Sequence, residues 1–170
     1  DFVRDKDANT AILLVCEMAA ELKAKGSSIY EKLIEIYVDH GFFKEHLVSL
    51  VKRGIEGAEE IKEKMVQLRK NPPKDIAGER VVLIEDYLTS KAENLQSHES
   101  NEIEIPKSNV LIFYTENGTK VAARPSGTEP KIKFYISVNT NLANTSDFES
   151  VEQELDSKIQ SIKSELGLTE

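Results

Sequence analysis

Apolar positions in the first forty residues recur at helical spacing. In ANTAILLVCEMAAELKAK, Ile12, Val15, Met18, Ala19 and Leu22 fall on one helix face. Asp7 suits the N-cap and Gly26 the residue just past the C-terminus. Leu13, Leu14 and Cys16 widen the apolar surface, which predicts a helix buried on more than one side, with Cys16 a core residue. Ser28 followed by Glu31 is a capping-box signature opening a second helix, IYEKLIEIYVDH, whose face is Ile29, Leu33, Ile36 and Tyr37 and which Gly41 ends.

From residue 42 the pattern changes. FFKEHLVSLVKR reads as a strand running into the glycines of RGIEGAEE, and residues 58–71 as a charged helix with Ile61, Met65 and Leu68 inward, stopped by Asn71-Pro72-Pro73. RVVLIEDYL is a strand. Residues 89–107 are polar and unpatterned and read as a long loop. NVLIFYT and TKVAAR follow as strands around the hairpin dipeptide Asn117-Gly118. KIKFYISV alternates, with Ile132, Phe134 and Ile136 on one face and Lys131, Lys133 and Tyr135 on the other. NTNLANTS reads as a polar linker, and Phe148, Val151, Leu155, Ile159 and Ile162 mark a closing helix. The fold expected is α+β: an antiparallel sheet of about four to five strands with helices on one face over 42–170, preceded over 1–41 by a two-helix remnant of an α/β domain.

Composition changes this picture little. The 170 residues are 39% hydrophobic and 31% charged, as in ordinary globular proteins. A net charge of −8 argues against a nucleic-acid partner, and no apolar run approaches a membrane span. With one cysteine there is no internal disulfide, and with no signal peptide in view the location expected is cytoplasmic. The opening DFVRDKDANTAILLV, without Met, reads as a piece of a longer polypeptide.

The chemistry gathers in RPSGTEPKIKFY, residues 124–135. A turn that only reverses the chain needs no arginine, lysine and two hydroxyls. Backbone N–H groups in a tight turn converge on an anion, and Gly127 lets the backbone curl and an oxygen approach. Ser126 and Thr128 add neutral donors, Arg124 a planar fork and Lys133 a second cation. Pro125 and Pro130 stiffen the loop. The set suits a dianionic phosphate.

This run resembles the phosphate-binding loop in the last domain of the α-D-phosphohexomutases, the phosphoglucomutase/phosphomannomutase family. DFVRDKDANTAILLVCEMAAELKAKGSSIYEKLIEIY is similar to the end of the third domain of the bacterial-type phosphoglucomutases, and GIEGAEEIKEKMVQLRKNPP and EDYLTS are similar to the same group. The resemblance implies a C-terminal portion, 1–41 closing the third, sugar-binding domain and 42–170 forming the phosphate-binding fourth. It implies a full-length isomerase that moves a phosphoryl group between C1 and C6 of a hexose phosphate, using an upstream phosphoserine, Mg²⁺ and a hexose 1,6-bisphosphate activator. By position, Arg124, Ser126, Gly127, Thr128 and Lys133 would grip the substrate's non-reacting phosphate, Lys133 standing where many relatives have arginine. Lys6, and more weakly Arg4, would reach the substrate from the third domain. The chain has no D-G-D-x-D-R metal loop and no serine in the nucleophile setting, so this portion alone is expected to bind no metal or cofactor and to be inactive. Its partners would be the hexose phosphate and the upstream domains of its own polypeptide.

Other features read more plainly. Asp5-x-Asp7-x-Asn9 imitates a calcium loop, but Thr10 replaces the needed glycine and Cys16 the closing glutamate. His40, His46 and His98 lack ligand spacing. The alternative function is a non-enzymatic α+β module that binds phosphorylated or acidic partners through the same loop.

Overall fold

A computed structural model describes residues 5–168, so Arg4 lies outside the described residues. The chain divides into two compact units. One runs up to Phe42 and takes in Asn141–Glu149; the other takes in Phe43–Thr140 and the chain from Ser150 onward.

The first unit contains helices α1 (Ala8–Ala24) and α2 (Ile29–His40). Asp7 caps α1 by accepting from the Asn9 and Thr10 N–H groups, and Gly26 follows the helix at φ 75°, a left-handed conformation that glycine adopts without a Cβ penalty. α1 is not buried on more than one side, as its sequence suggested: none of its residues is buried, and Leu13 is 70% exposed. Cys16 is exposed too, rather than in a core. Apolar content alone does not bury a helix; burial needs a partner surface. In α2, Ser28 is the expected N-cap, its Oγ accepting from the Glu31 N–H at 3.1 Å and its hydroxyl donating to Glu31 Oε2 at 3.0 Å, a variant of the expected capping box in which the glutamate meets the serine hydroxyl rather than its backbone N–H. The buried face of α2 is turned from the one expected: Ile34 is buried, whereas Ile29, Leu33 and Ile36 are exposed. Aromatic packing sets the rotation. Tyr37 stacks on Phe42 (centroids 4.4 Å apart), Phe42 on Phe148 (5.1 Å), and Tyr30 meets Phe148 edge-on. Residues 141–147 are not merely a polar linker: Leu142 is fully buried, and Thr145–Asp147 form a 3₁₀ turn.

The second unit is a sheet with helices on one face, an α+β architecture. Its strands are β1 (Phe42–Val51), β2 (Asp75–Ile76), β3 (Glu79–Asp86), β4 (Lys91–Asn94), β5 (Ser100–Glu102), β6 (Leu111–Thr115), β7 (Lys120–Pro125) and β8 (Lys131–Thr140). They run in the order β1-β8-β7-β6-β3-β4-β5, with β2 paired to β3. All pairings from β8 through β5 are antiparallel. The eight strands exceed the four to five expected. Two of the extra ones, β4 and β5, lie in the stretch read as a loop, where backbone ladder bonds rather than apolar alternation hold KAEN and SNE in place.

Helix α3 (Gly54–Lys70) begins four residues before the expected start and absorbs both glycines thought to close the preceding strand. A Cβ on Gly57 would lie 2.5 Å from Lys52 Cβ and 3.0 Å from its carbonyl carbon, so only glycine lets the helix start so close to the end of β1. α3 buries Ile61 and Met65 and packs on β7 and β8. Helix α4 (Phe148–Glu165) contributes Leu155, Ile159 and Ile162 to the core, is held to β3 by Lys158–Glu79, and is joined to α3 by the Lys64 ammonium, which donates to Leu166 O at 3.0 Å. Against the helices the strands present Val81, Leu111, Phe113, Val121, Ala123, Ile132, Phe134 and Ile136, all buried at 1% exposure or less. This is the face the alternation of KIKFYISV called for.

Candidate functional site: a cationic pocket at the β7–β8 hairpin

Strand alternation puts the side chains of one parity on the helices and those of the other on the sheet's second face. In the β7–β8 ladder, Arg124 stands directly opposite Lys133. Two cations facing each other across a ladder repel, so this pairing works against the sheet unless an anion lies between them. Lys131 follows the same parity as Lys133, about 7 Å along the strand. Among the described residues none of these three cations makes an ion pair, a state they share with cations such as Arg80, Lys91 and Lys120, whereas Lys44, Lys158 and Arg69 are paired.

The three line a pocket of about 260 Å³ together with Pro125, Ser126, Glu129 and Tyr135. The pocket's back wall is the ladder; its rim is the loop between the strands. That loop is closed by a bond from the Ser126 N–H to Lys131 O at 2.8 Å, with the Lys131 N–H donating to Glu129 O at 2.8 Å. Inside it, the N–H groups of Thr128 and Glu129 both donate to Ser126 Oγ at 3.3 Å. The expected ring of free amides is thus partly occupied by the loop's own serine, through long bonds that an anion could replace.

The structure therefore brings Arg124, Ser126 and Lys133 to one pocket. Gly127 and Thr128 instead line a cavity of about 610 Å³ on the helix side of the loop, walled by Met65, Val66 and Arg69 among others. Gly127 does not serve the conformational role expected of it, because its φ is not positive. A Cβ there would meet nothing within 4 Å. Neither backbone nor neighbours in this chain demand a glycine at that position. Lys6 lies in the first unit, exposed, with its ammonium 3.1 Å from Asp5.

Sequence reasoning missed Lys131 as a site residue. The signal was present, since a period of two places it beside Lys133. Also unforeseen is the carboxylate of Glu85 on the same face of the sheet, which accepts from Tyr87 OH at 3.0 Å and Tyr114 OH at 3.1 Å. Burial, then the negative charge of Glu85, pushes the Tyr114 phenol up to about 12, so it remains a hydrogen-bond donor. Among the described residues no cluster of three or more His, Cys, Asp or Glu side chains could hold a metal ion, and no helix is long and apolar enough to cross a membrane.

Comparison with known proteins bears on this geometry. A phosphoglucomutase of Staphylococcus aureus (strain MRSA252) is 41% identical over 158 residues, covering 93% of this chain and 28% of the relative. Its counterpart in strain MSSA476 is 40% identical over the same extent. Over nearly all of its length the chain is similar to phosphoglucomutases. It spans about 28% of the length of the curated relatives it matches, and corresponds to their C-terminal portion. No protein-family model matches the chain. Among solved structures, the open form of the Paramecium phosphoprotein pp63/parafusin, described as a phosphoglucomutase, aligns over 95% of this chain and 28% of its own, with a TM-score of 0.48 and 14% identity.

Proposed function

We propose that this chain is the substrate-gripping portion of a phosphoglucomutase or phosphomannomutase, and that the pocket at the β7–β8 hairpin holds the phosphate of a hexose phosphate that is not reacting. The observation that carries this reading is the direct opposition of Arg124 and Lys133, without ion pairs, at the base of the Ser126–Pro130 loop. A phosphate dianion between them would turn their repulsion into two charge-assisted contacts. The Ser126 hydroxyl would turn from its two long loop bonds to donate to a phosphate oxygen. Gly127 and Thr128, which line the cavity on the other side of the loop, would join the grip only through their backbone N–H groups, the Thr128 N–H once released from Ser126 Oγ.

In the full-length protein, transfer between C1 and C6 would take place at an upstream phosphoserine with Mg²⁺, started by a hexose 1,6-bisphosphate. The residues described here offer no donor set that fits Mg²⁺. The part of this chain is positional. A clamp that accepts the phosphate at either end of the sugar fixes the distant end while the near one reacts, so that remote binding energy orients the reacting oxygen. Lys6 and Arg4 would approach the same substrate from the preceding domain. On this reading the chain alone catalyses nothing and works in the cytoplasm as part of a larger polypeptide.

The test is a titration of the isotope-labelled chain with glucose 1-phosphate, followed by amide NMR. Shifts should concentrate on Ser126, Gly127, Thr128 and Lys133 and disappear in Arg124→Ala. Binding that survives that substitution, or shifts centred elsewhere, would overturn the proposal.

A further inference from the structure

The pocket contains more positive charge than the motif accounts for. Its lining carries Arg124, Lys131 and Lys133 against the single carboxylate of Glu129, a formal excess of two positive charges. That excess stands out in a chain whose acids outnumber its bases, 30 to 22. Lys131 is also anchored at its backbone. Its carbonyl accepts from Ser126 and its N–H donates to Glu129 O, which fixes the first residue of β8 at the closing bonds of the loop. The side chain is half-buried and is engaged by no carboxylate among the described residues.

We infer that Lys131 sets the charge selectivity of this pocket, adding the second net positive charge that makes it prefer a phosphomonoester dianion to a singly charged anion. The inference rests on the phosphate-gripping role proposed above and assigns it a ligand class. With Lys131 the lining matches a charge of −2; without it, Arg124 and Lys133 balanced against Glu129 match −1. Lysine suits the task, because a compact point charge adds attraction without the planar fork that Arg124 already supplies. A diester or other monoanion could still reach that fork but would leave one cation in the pocket without an opposite charge.

The experiment compares glucose 1-phosphate with dimethyl phosphate, a monoanion, at one pH above 7 and one salt concentration, using the whole chain. The wild-type chain should bind glucose 1-phosphate more tightly, and Lys131→Met should cut that affinity about tenfold while barely changing the affinity for dimethyl phosphate. Lys131→Arg should restore the preference, and unchanged amide spectra outside the hairpin would show that both variants are folded. Equal loss for both anions in Lys131→Met would assign the lysine to general attraction and overturn the selectivity. No loss for either would remove Lys131 from the site and leave the phosphate grip intact. Failure of the wild-type chain to bind glucose 1-phosphate would overturn the proposed function and this inference with it.

Discussion

The two faces of β7 and β8 come from the same sixteen residues and have opposite characters. On one, Val121, Ala123, Ile132, Phe134 and Ile136 are buried beneath the helices to 1% exposure or less. On the other, Arg124, Lys131, Lys133 and Tyr135 line an open pocket in which like charges face each other. The first face is organised for stability. The second is tolerated at some cost in stability, which the first makes affordable. The general point is that a strand's period of two allows a binding surface to be built one residue away from a core without the two competing for positions.

The largest effect expected is on the covered face. Phe134→Ala should cost about 3–5 kcal/mol by leaving a cavity in the core. Lys133→Ala, its neighbour in sequence, should change stability by no more than about 0.5 kcal/mol. Urea unfolding of the two variants separates the faces directly, and comparable losses would break the comparison.

Next in size is Arg124→Ala. Removing a charged partner should weaken glucose 1-phosphate binding about ten- to a hundredfold, with no loss of stability because a like-charge pair is relieved. Calorimetric titration and thermal unfolding of the same sample check both halves.

Acid should act on the covered side. Glu79, beside the Lys158 ammonium at 2.5 Å and the Thr115 hydroxyl at 2.6 Å, is half-buried, which by itself would raise its pKa; the bonds from Lys158 and Thr115 outweigh that and hold it below the ordinary value of 4.5. A carboxyl depressed in the folded state contributes stability that is present above its unfolded pKa and is lost as pH falls through the folded value. Glu79→Gln should therefore be less stable than the wild type by about 1–2 kcal/mol at pH 7, a gap that narrows below about pH 4. A gap that is constant with pH would mean the pairing contributes nothing through its charge.

The smallest effect is a gain. Lys133→Arg should tighten phosphate binding a few-fold by supplying a second bidentate fork, with stability unchanged.

How much of this was legible in the sequence depended on what kind of force places each residue. The alternation of KIKFYISV assigned both faces correctly, because burial there is decided by parity alone. Caps at Asp7 and Ser28 were equally legible, since they are local hydrogen bonds. Strands β4 and β5 were not: KAEN and SNE are ordered by neighbours' backbones, which leave no mark on side-chain pattern. Helix α1 failed for the opposite reason. Its apolar residues are evident, but what they would pack against cannot be read from the helix itself. At the site, the motif supplied Arg124, Ser126 and Lys133, while the placing of Gly127 and Thr128 on the far side of the loop depends on how the serine folds the loop back on itself.

The modest strand β5 has a consequence beyond the fold. It is three residues long, Ser-Asn-Glu, all exposed, and it ends the sheet beyond β4. A sheet edge with free backbone groups invites a strand from another molecule, and the invitation grows with its length and greasiness. An acidic, polar edge of this length offers almost no template. Along this border, crowded copies of the protein therefore find little to zip onto on the way to fibrils.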